Sequence, residues 1–236
     1  VHDWWGEPQA PTMPESGIRR ATDLANLAGP FESEAQVAVE RGLRDPDPLV
    51  RTAAAQVAPG LPPERVIQQL APLLEDDVRS VRLAAVQSLA PARDYLPAGL
   101  AGAFERAADE YRAAQLAVAS RPQAHGALAE FEGRLGDIEA ALAHADRAVA
   151  MAPEMALLRH SRGLLLVRAD RRDEALAELR QATELAPEVA RFSYVYAVAL
   201  NSLGRPDAAL QVLEEARLQH PDDPEIGAFL EMLRAD

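Results

Sequence analysis

Residues 129–153 read AEFEGRLGDIEAALAHADRAVAMAP, residues 163–187 read GLLLVRADRRDEALAELRQATELAP, and residues 197–221 read AVALNSLGRPDAALQVLEEARLQHP. The three segments align without a gap at a spacing of 34 residues. Pro153, Pro187 and Pro221 fall in one column, as do Ala141, Ala175 and Ala209, Leu142, Leu176 and Leu210, and Ala148, Ala182 and Ala216. Ala129, Gly163 and Ala197 form a further column, and Gly136, Asp170 and Gly204 another. Self-similarity at a period of this length marks a stacked-repeat architecture.

The chemistry of the columns predicts the unit. Each copy has two amphipathic stretches around a break at Leu135-Gly136-Asp137, Ala169-Asp170-Arg171 or Leu203-Gly204-Arg205. Gly and Asp tolerate the backbone that a tight turn between helices requires. Pro206 sits at a first-turn position, where a missing N–H costs little. The small residues at 129, 163 and 197, and at 141, 175 and 209, let two helix axes approach closely. The proline ends the second helix and begins the next unit.

This pattern of small residue, turn Gly, Ala, bulky residue, Ala and Pro resembles the tetratricopeptide repeat family. It reads Ala129, Gly136, Ala141, Ala145, Ala148, Pro153, then Gly163, Asp170, Ala175, Leu179, Ala182, Pro187, then Ala197, Gly204, Ala209, Leu213, Ala216, Pro221. His125, Arg159 and Ser193 stand where the family has a large aromatic, and Ala145 is small where bulk is usual. One period earlier, Gly102, Phe104, Ala107, Tyr111 and Ala114 make a good second helix, while Pro91 and Pro97 interrupt its first. The expected organisation is a half repeat at 97–121, full repeats at 122–155, 156–189 and 190–223, and a closing helix at 224–234.

The first third has a different period. Leu43, Asp45, Val50, Arg51 and Ala54 recur 31 residues later as Leu74, Asp76, Val81, Arg82 and Ala85. This resembles the HEAT-repeat family, with its turn Asp and its second-helix Val-Arg. Asp is expected to cap the following helix, Val to enter the core, and Arg to reach an acid of a neighbouring repeat. Ile18-Arg19-Arg20-Ala21 fits the second helix of a degenerate unit. HEAT-like pairs are thus expected over 16–96 and a tetratricopeptide domain over 97–236. Residues 1–15, with Pro8, Pro11 and Pro14, read as an extended arm. The fold class predicted is an all-α right-handed α-solenoid of twelve to fourteen helices.

Composition agrees with a helical chain and narrows the function. Of 236 residues 48% are hydrophobic and 26% charged, which is ordinary for a globular protein. Aromatics are only 5%, and Ala, Leu, Glu and Arg, all good helix formers, dominate. All 24 basic residues are arginine, so a P-loop lysine and a Schiff-base lysine are excluded. With no cysteine, thiol catalysis, zinc ribbons, iron–sulfur clusters and c-type haem attachment are excluded as well. The net charge of −13 is spread along the chain, which makes nucleic acid and anionic membranes poor partners. The apolar run Leu164-Leu165-Leu166-Val167 stops at Arg168, and no run approaches the length needed to span a membrane. HEAT-like units before tetratricopeptide repeats also resemble, more distantly, the C-terminal parts of bacterial multihaem cytochromes. That resemblance implies a haem domain upstream of Val1, and none attached to this sequence.

A stacked-repeat protein presents a surface to partners, and in tetratricopeptide arrays the first helix of each pair lines its concave side. The residues expected to face inward are Gln123, Glu130 and Arg134, then Leu157, His160, Leu164 and Arg168, then Arg191, Tyr194, Val198 and Asn201. Three arginines against one glutamate reverse the charge of the rest of the chain. Arginine binds carboxylates in a two-pronged manner, so the expected partner is a protein or peptide with acidic and apolar groups. The alternative is that these arginines pair with acids of the solenoid itself. His2, His125, His144, His160 and His220 have no metal-ligand spacing, and His144 and His220 are expected to face solvent. Trp4-Trp5 either packs onto the first helices or docks against an upstream region or another subunit. No nucleophile–base constellation or phosphate loop is present. The reading is therefore a non-enzymatic scaffold without cofactor, catalytic residue or metal, the alternative being a docking module for an upstream active domain. No targeting signal fixes a compartment.

Overall fold

The structure, a computed structural model, describes residues 16–27 and 33–235. The arm carrying Trp4 and Trp5 lies outside them. The described residues form thirteen α-helices and no strand, so the all-α prediction holds. The chain divides into two compact units, Val1–Tyr111 and Arg112–Asp236.

In the first unit the helices are α1 (Gly17–Ala25), α2 (Ser33–Gly42), α3 (Pro48–Val57), α4 (Pro63–Leu70), α5 (Arg79–Leu89) and the start of α6 (Ala98–Leu116). α3 packs on α1 on one side and on α5 on the other. Val50, Ala54, Val81 and Ala85 are fully buried at these contacts, and Ser88 Oγ donates to Ala55 O across the α3–α5 contact at 2.8 Å. Asp47 caps α3 by accepting the Leu49 N–H, with Pro48 opening the helix. The turn acid expected to cap, Asp45, instead accepts the Asp47 N–H, as Asp76 accepts that of Val78. Pro91 lies in a 3₁₀ turn over Ala90–Tyr95, and α6 starts just beyond Pro97.

An arginine ladder ties these turns together. Arg20 donates to both oxygens of Asp45, and Arg51 to both oxygens of Asp76 at 2.8 and 3.0 Å. Arg82 does the same to Glu110. Arg51 and Arg82 also donate to the backbone oxygens of Asp45 and Asp76. Arg51 thus binds one turn through its backbone and the next through its carboxylate, and Arg82 binds the second turn through its backbone and α6 through the carboxylate of Glu110. These hydrogen bonds hold the carboxyls of Asp45 and Glu110 below their ordinary range. At Asp76 burial is the largest influence and acts upward, but the hydrogen bonds and charge of Arg51 outweigh it.

The second unit is a run of helix pairs: α7 (Pro122–Leu135) with α8 (Ile138–Met151), α9 (Ala156–Arg168) with α10 (Arg172–Leu185), and α11 (Ala190–Ser202) with α12 (Pro206–Gln219), followed by α13 (Pro224–Ala235). Every pair turns through a residue of positive φ, Gly136 at 87°, Asp170 at 57° and Gly204 at 72°. The next amide closes each turn back onto the helix, from Asp137 to Glu132 O, Arg171 to Leu166 O and Arg205 to Leu200 O. The alanine column at 141, 175 and 209 is buried to within 1%. At Gly163 a Cβ atom would come within 2.8 Å of the Leu179 side chain, so α9 and α10 touch closely because glycine stands there. The third pair and α13 share a core containing Leu200, Leu213, Ile226 and Leu230.

Candidate functional site: the first-helix face of the second unit

The 34-residue period sorts the expected groove residues into rows. Gln123, Leu157 and Arg191 occupy equivalent positions on α7, α9 and α11. So do Gly126, His160 and Tyr194, then Glu130, Leu164 and Val198, then Arg134, Arg168 and Ser202. Neighbouring first helices touch: a Cβ on Gly133 of α7 would meet Arg168 Nη1 of α9 at 3.4 Å. The His160 ring of α9 stacks on Phe192 of α11 with centroids 4.5 Å apart.

Charge on this face is distributed differently from the sequence count. Arg134 is bound to Glu130 one turn away on its own helix. Arg191 is bound to Glu225 on α13 at 3.0 Å and lies over the Tyr194 ring, while Tyr194 meets Phe229 edge-on. His160 is buried, and its Nδ1 has no hydrogen-bond partner among the described residues. Burial, with Arg191 nearby, pushes its pKa down, which favours the neutral ring. Arg168 alone of the three arginines has neither an ion pair nor a hydrogen bond among the described residues.

The apolar members of the rows are uncovered. Leu157 is 60% exposed, Leu164 42% and Val198 39%, and Val167 beside Arg168 is 49% exposed. Gln123 is exposed, its amide 3.8 Å from Met155 Sδ, and Asn201 is half-buried. The face therefore presents an unpaired guanidinium next to leucine and valine side chains.

On the second-helix side, the residues in place of the family aromatic fill their positions unequally. His125 is buried against His144, Nδ1 to Nδ1 at 3.2 Å. His144 is therefore half-buried in a ring stack, not solvated as its place on a second helix had implied, and burial lowers its pKa. His220 likewise has a partner, Pro187 O at 2.9 Å from Nε2. Arg159 and Arg162 both bind Glu178, and Arg162 binds Asp146 as well. Ser193 is buried beside an open cavity of about 320 Å³. Among the described residues no group of three or more His, Asp and Glu side chains is placed to hold a metal ion, and no helix is long and apolar enough to cross a membrane.

Comparison with known proteins agrees with both repeat types. The HEAT-repeat family pattern matches residues 22–120, and tetratricopeptide-repeat patterns match 122–147 and 166–233. No curated protein sequence matches the chain. Among solved structures the chain is similar to YrrB, described as a tetratricopeptide-repeat protein with an unusual peptide-binding site. The identity is 20%, over 82% of this chain and 98% of that one, with a TM-score of 0.48. It is similar to TTC0263 of Thermus thermophilus at 24% identity, over 86% of this chain and 90% of that one, with a TM-score of 0.45. It is also similar to the second tetratricopeptide-repeat domain of human RPAP3 in complex with an HSP70 peptide. There the identity is 21%, over 47% of this chain and 92% of that one, with a TM-score of 0.42.

Proposed function

We propose that this chain of HEAT and tetratricopeptide repeats is a non-enzymatic scaffold that binds a protein segment on the first-helix face of α7, α9 and α11. The observation that carries the reading is Arg168, a guanidinium left without a carboxylate beside exposed Leu164 and Val167. In a chain with 37 acidic side chains, most exposed arginines of the second unit have found one. An unpaired arginine at the edge of an uncovered apolar stripe suits a peptide that brings both a carboxylate and apolar side chains. Leu157, Leu164 and Val198 would take the apolar residues, and Arg168 the acid. Arg134 and Arg191 already hold internal carboxylates, so they contribute to the walls and not to the charge of the site.

The test is an anisotropy titration with a fluorescein-labelled peptide pool that alternates Leu with Asp or Glu, against a pool with Asn and Gln in place of the acids. The acidic pool should bind more tightly, and Arg168→Ala should weaken it by roughly tenfold, the usual worth of one charge-assisted hydrogen bond. Equal affinity of wild type and Arg168→Ala would remove this face from consideration.

A further inference from the structure

The three junctions between stacked repeats in the second unit can be superposed by the 34-residue period. At the middle junction Asp146, Arg159, Arg162 and Glu178 form one charged cluster. Arg159 reaches Glu178 at 3.2 Å and Pro153 O, and Arg162 reaches Glu178 and Asp146, both at 2.7 Å. The corresponding residues at the next junction are Arg180, Ser193, Tyr196 and Val212, with Pro187 in place of Pro153. Arg159 and Arg162 have no cationic counterparts at 193 and 196, and a cavity of about 320 Å³ lined by Arg180, Ser193, Tyr196, Pro187 and Val212 lies there. The hollow at the middle junction, lined by Pro153, Arg159 and Gln181, has a similar volume of about 340 Å³ and is more open.

The walls of the Ser193 cavity are chemically suited to the group they lack. Glu215 lies on its wall where the middle junction has Gln181, and its carboxylate has no ion pair or hydrogen bond among the described residues. Arg180 and Glu184, also at the wall, pair with each other at 3.6 Å, so the net charge presented is −1, from Glu215. Tyr196 offers a ring face to a planar cation, and burial raises its pKa, keeping the hydroxyl neutral. Pro187 O accepts from His220 Nε2 and keeps a second lone pair. Val212 and Ala216 supply an apolar wall for an alkyl stem. The volume is in the range of small ligand sites.

We propose that the Ser193 cavity, with the unpaired Glu215 carboxylate on its wall, binds a guanidinium group supplied by an arginine side chain of a partner polypeptide, at the repeat position where Arg159 stands one repeat earlier. Its plane would lie on Tyr196, with Glu215 accepting its hydrogen bonds. The site lies among α10, α11 and α12 and does not depend on the first-helix face.

The probe is N-acetyl-arginine methylamide, titrated into the ¹⁵N-labelled full chain and followed by amide shifts, with the neutral citrulline analogue alongside. Saturable shifts at Ser193, Tyr196 and Val212 are expected, at the millimolar affinity usual for a fragment of this size, with the citrulline analogue about tenfold weaker. Ser193→Arg should supply the cation internally and abolish those shifts. Glu215→Gln, at an exposed position that leaves the core untouched, should weaken binding by about tenfold. No saturable shift at these residues, equal binding of the citrulline analogue, or unchanged affinity in Glu215→Gln would each overturn the assignment.

Discussion

Nδ1 of His125 lies 3.2 Å from Nδ1 of His144, and the two rings stack with centroids 5.4 Å apart. One nitrogen must donate and the other accept, so the pair holds only while at least one ring is neutral. The pKa of His144 is lowered, first by burial, then by His125 and Arg147, against a smaller upward pull from Glu132. That of His160 is lowered by burial and by Arg191.

These shifts set the acid response. A histidine whose folded pKa lies below its unfolded value takes up its proton more readily when unfolded. Stability is then complete above the unfolded value and declines as pH falls from there through the folded one. The melting temperature should therefore fall between pH 7.5 and 5.5, before the carboxylates titrate. His160→Phe removes one titrating ring and a buried nitrogen that lacks a partner, while keeping a ring on Phe192. It should flatten the slope and leave stability at neutral pH equal or higher by about 1 kcal/mol. A slope as steep as that of wild type would count against the assignment to His160.

The arginine ladder of the first unit predicts a second acid step. The folded pKa values of Asp45, Asp76 and Glu110 are lowered, so their contribution is present above the ordinary carboxylate range and is lost as pH falls below it. Asp76→Asn at neutral pH should cost roughly 2–4 kcal/mol, because it strands the largely buried Arg51. The double variant Arg51→Met, Asp76→Leu should recover much of that loss. Urea unfolding of the single and double variants measures both quantities.

Nearest-neighbour stacking predicts a local failure. Ala209 is fully buried between α12 and its neighbours. Ala209→Glu places an unpaired charge there, at a cost above about 4 kcal/mol. Because each repeat packs mainly on the adjacent one, amide exchange should accelerate in α11–α13 and stay slow in α7 and α8. Uniform acceleration across the second unit would mean that it unfolds as one block.

Binding on the first-helix face should depend on a single charge. Raising salt from about 50 to 300 mM should weaken the acidic peptide pool only modestly, and the dependence should vanish in Arg168→Ala. Arg191→Ala should have a smaller effect than Arg168→Ala, since Arg191 is already paired with Glu225. Comparable losses in the two variants would show that Arg191 leaves Glu225 for the peptide.

Periodicity made the fold of the second unit legible, because each column serves a local need that repeats. Gly136, Asp170 and Gly204 are the positive-φ turns, and the small-residue columns are the close contacts. The HEAT-like motif was legible for the same reason, down to Arg51 reaching an acid of the next turn. Charge on the candidate face was harder to read. The bond from Arg134 to Glu130 follows from their i, i+4 spacing, but that from Arg191 to Glu225 spans 34 residues and depends on how α11 meets α13. The His125–His144 stack spans 19 residues, and only packing decides that a second-helix histidine turns inward.

The junctions of the second unit have unlike fillings: a pair of imidazoles, a four-charge knot, and a hydroxyl beside open space. Identical modules could be shuffled, or one could be skipped as the chain assembles, with little to oppose it. Here, omitting the module at 156–189 would bring α8 against α11 and leave Asp146 facing Tyr196 with no cation to meet it. Mismatched fillings of this kind would oppose such a skip, and would equally oppose a sibling chain lending one of its own modules.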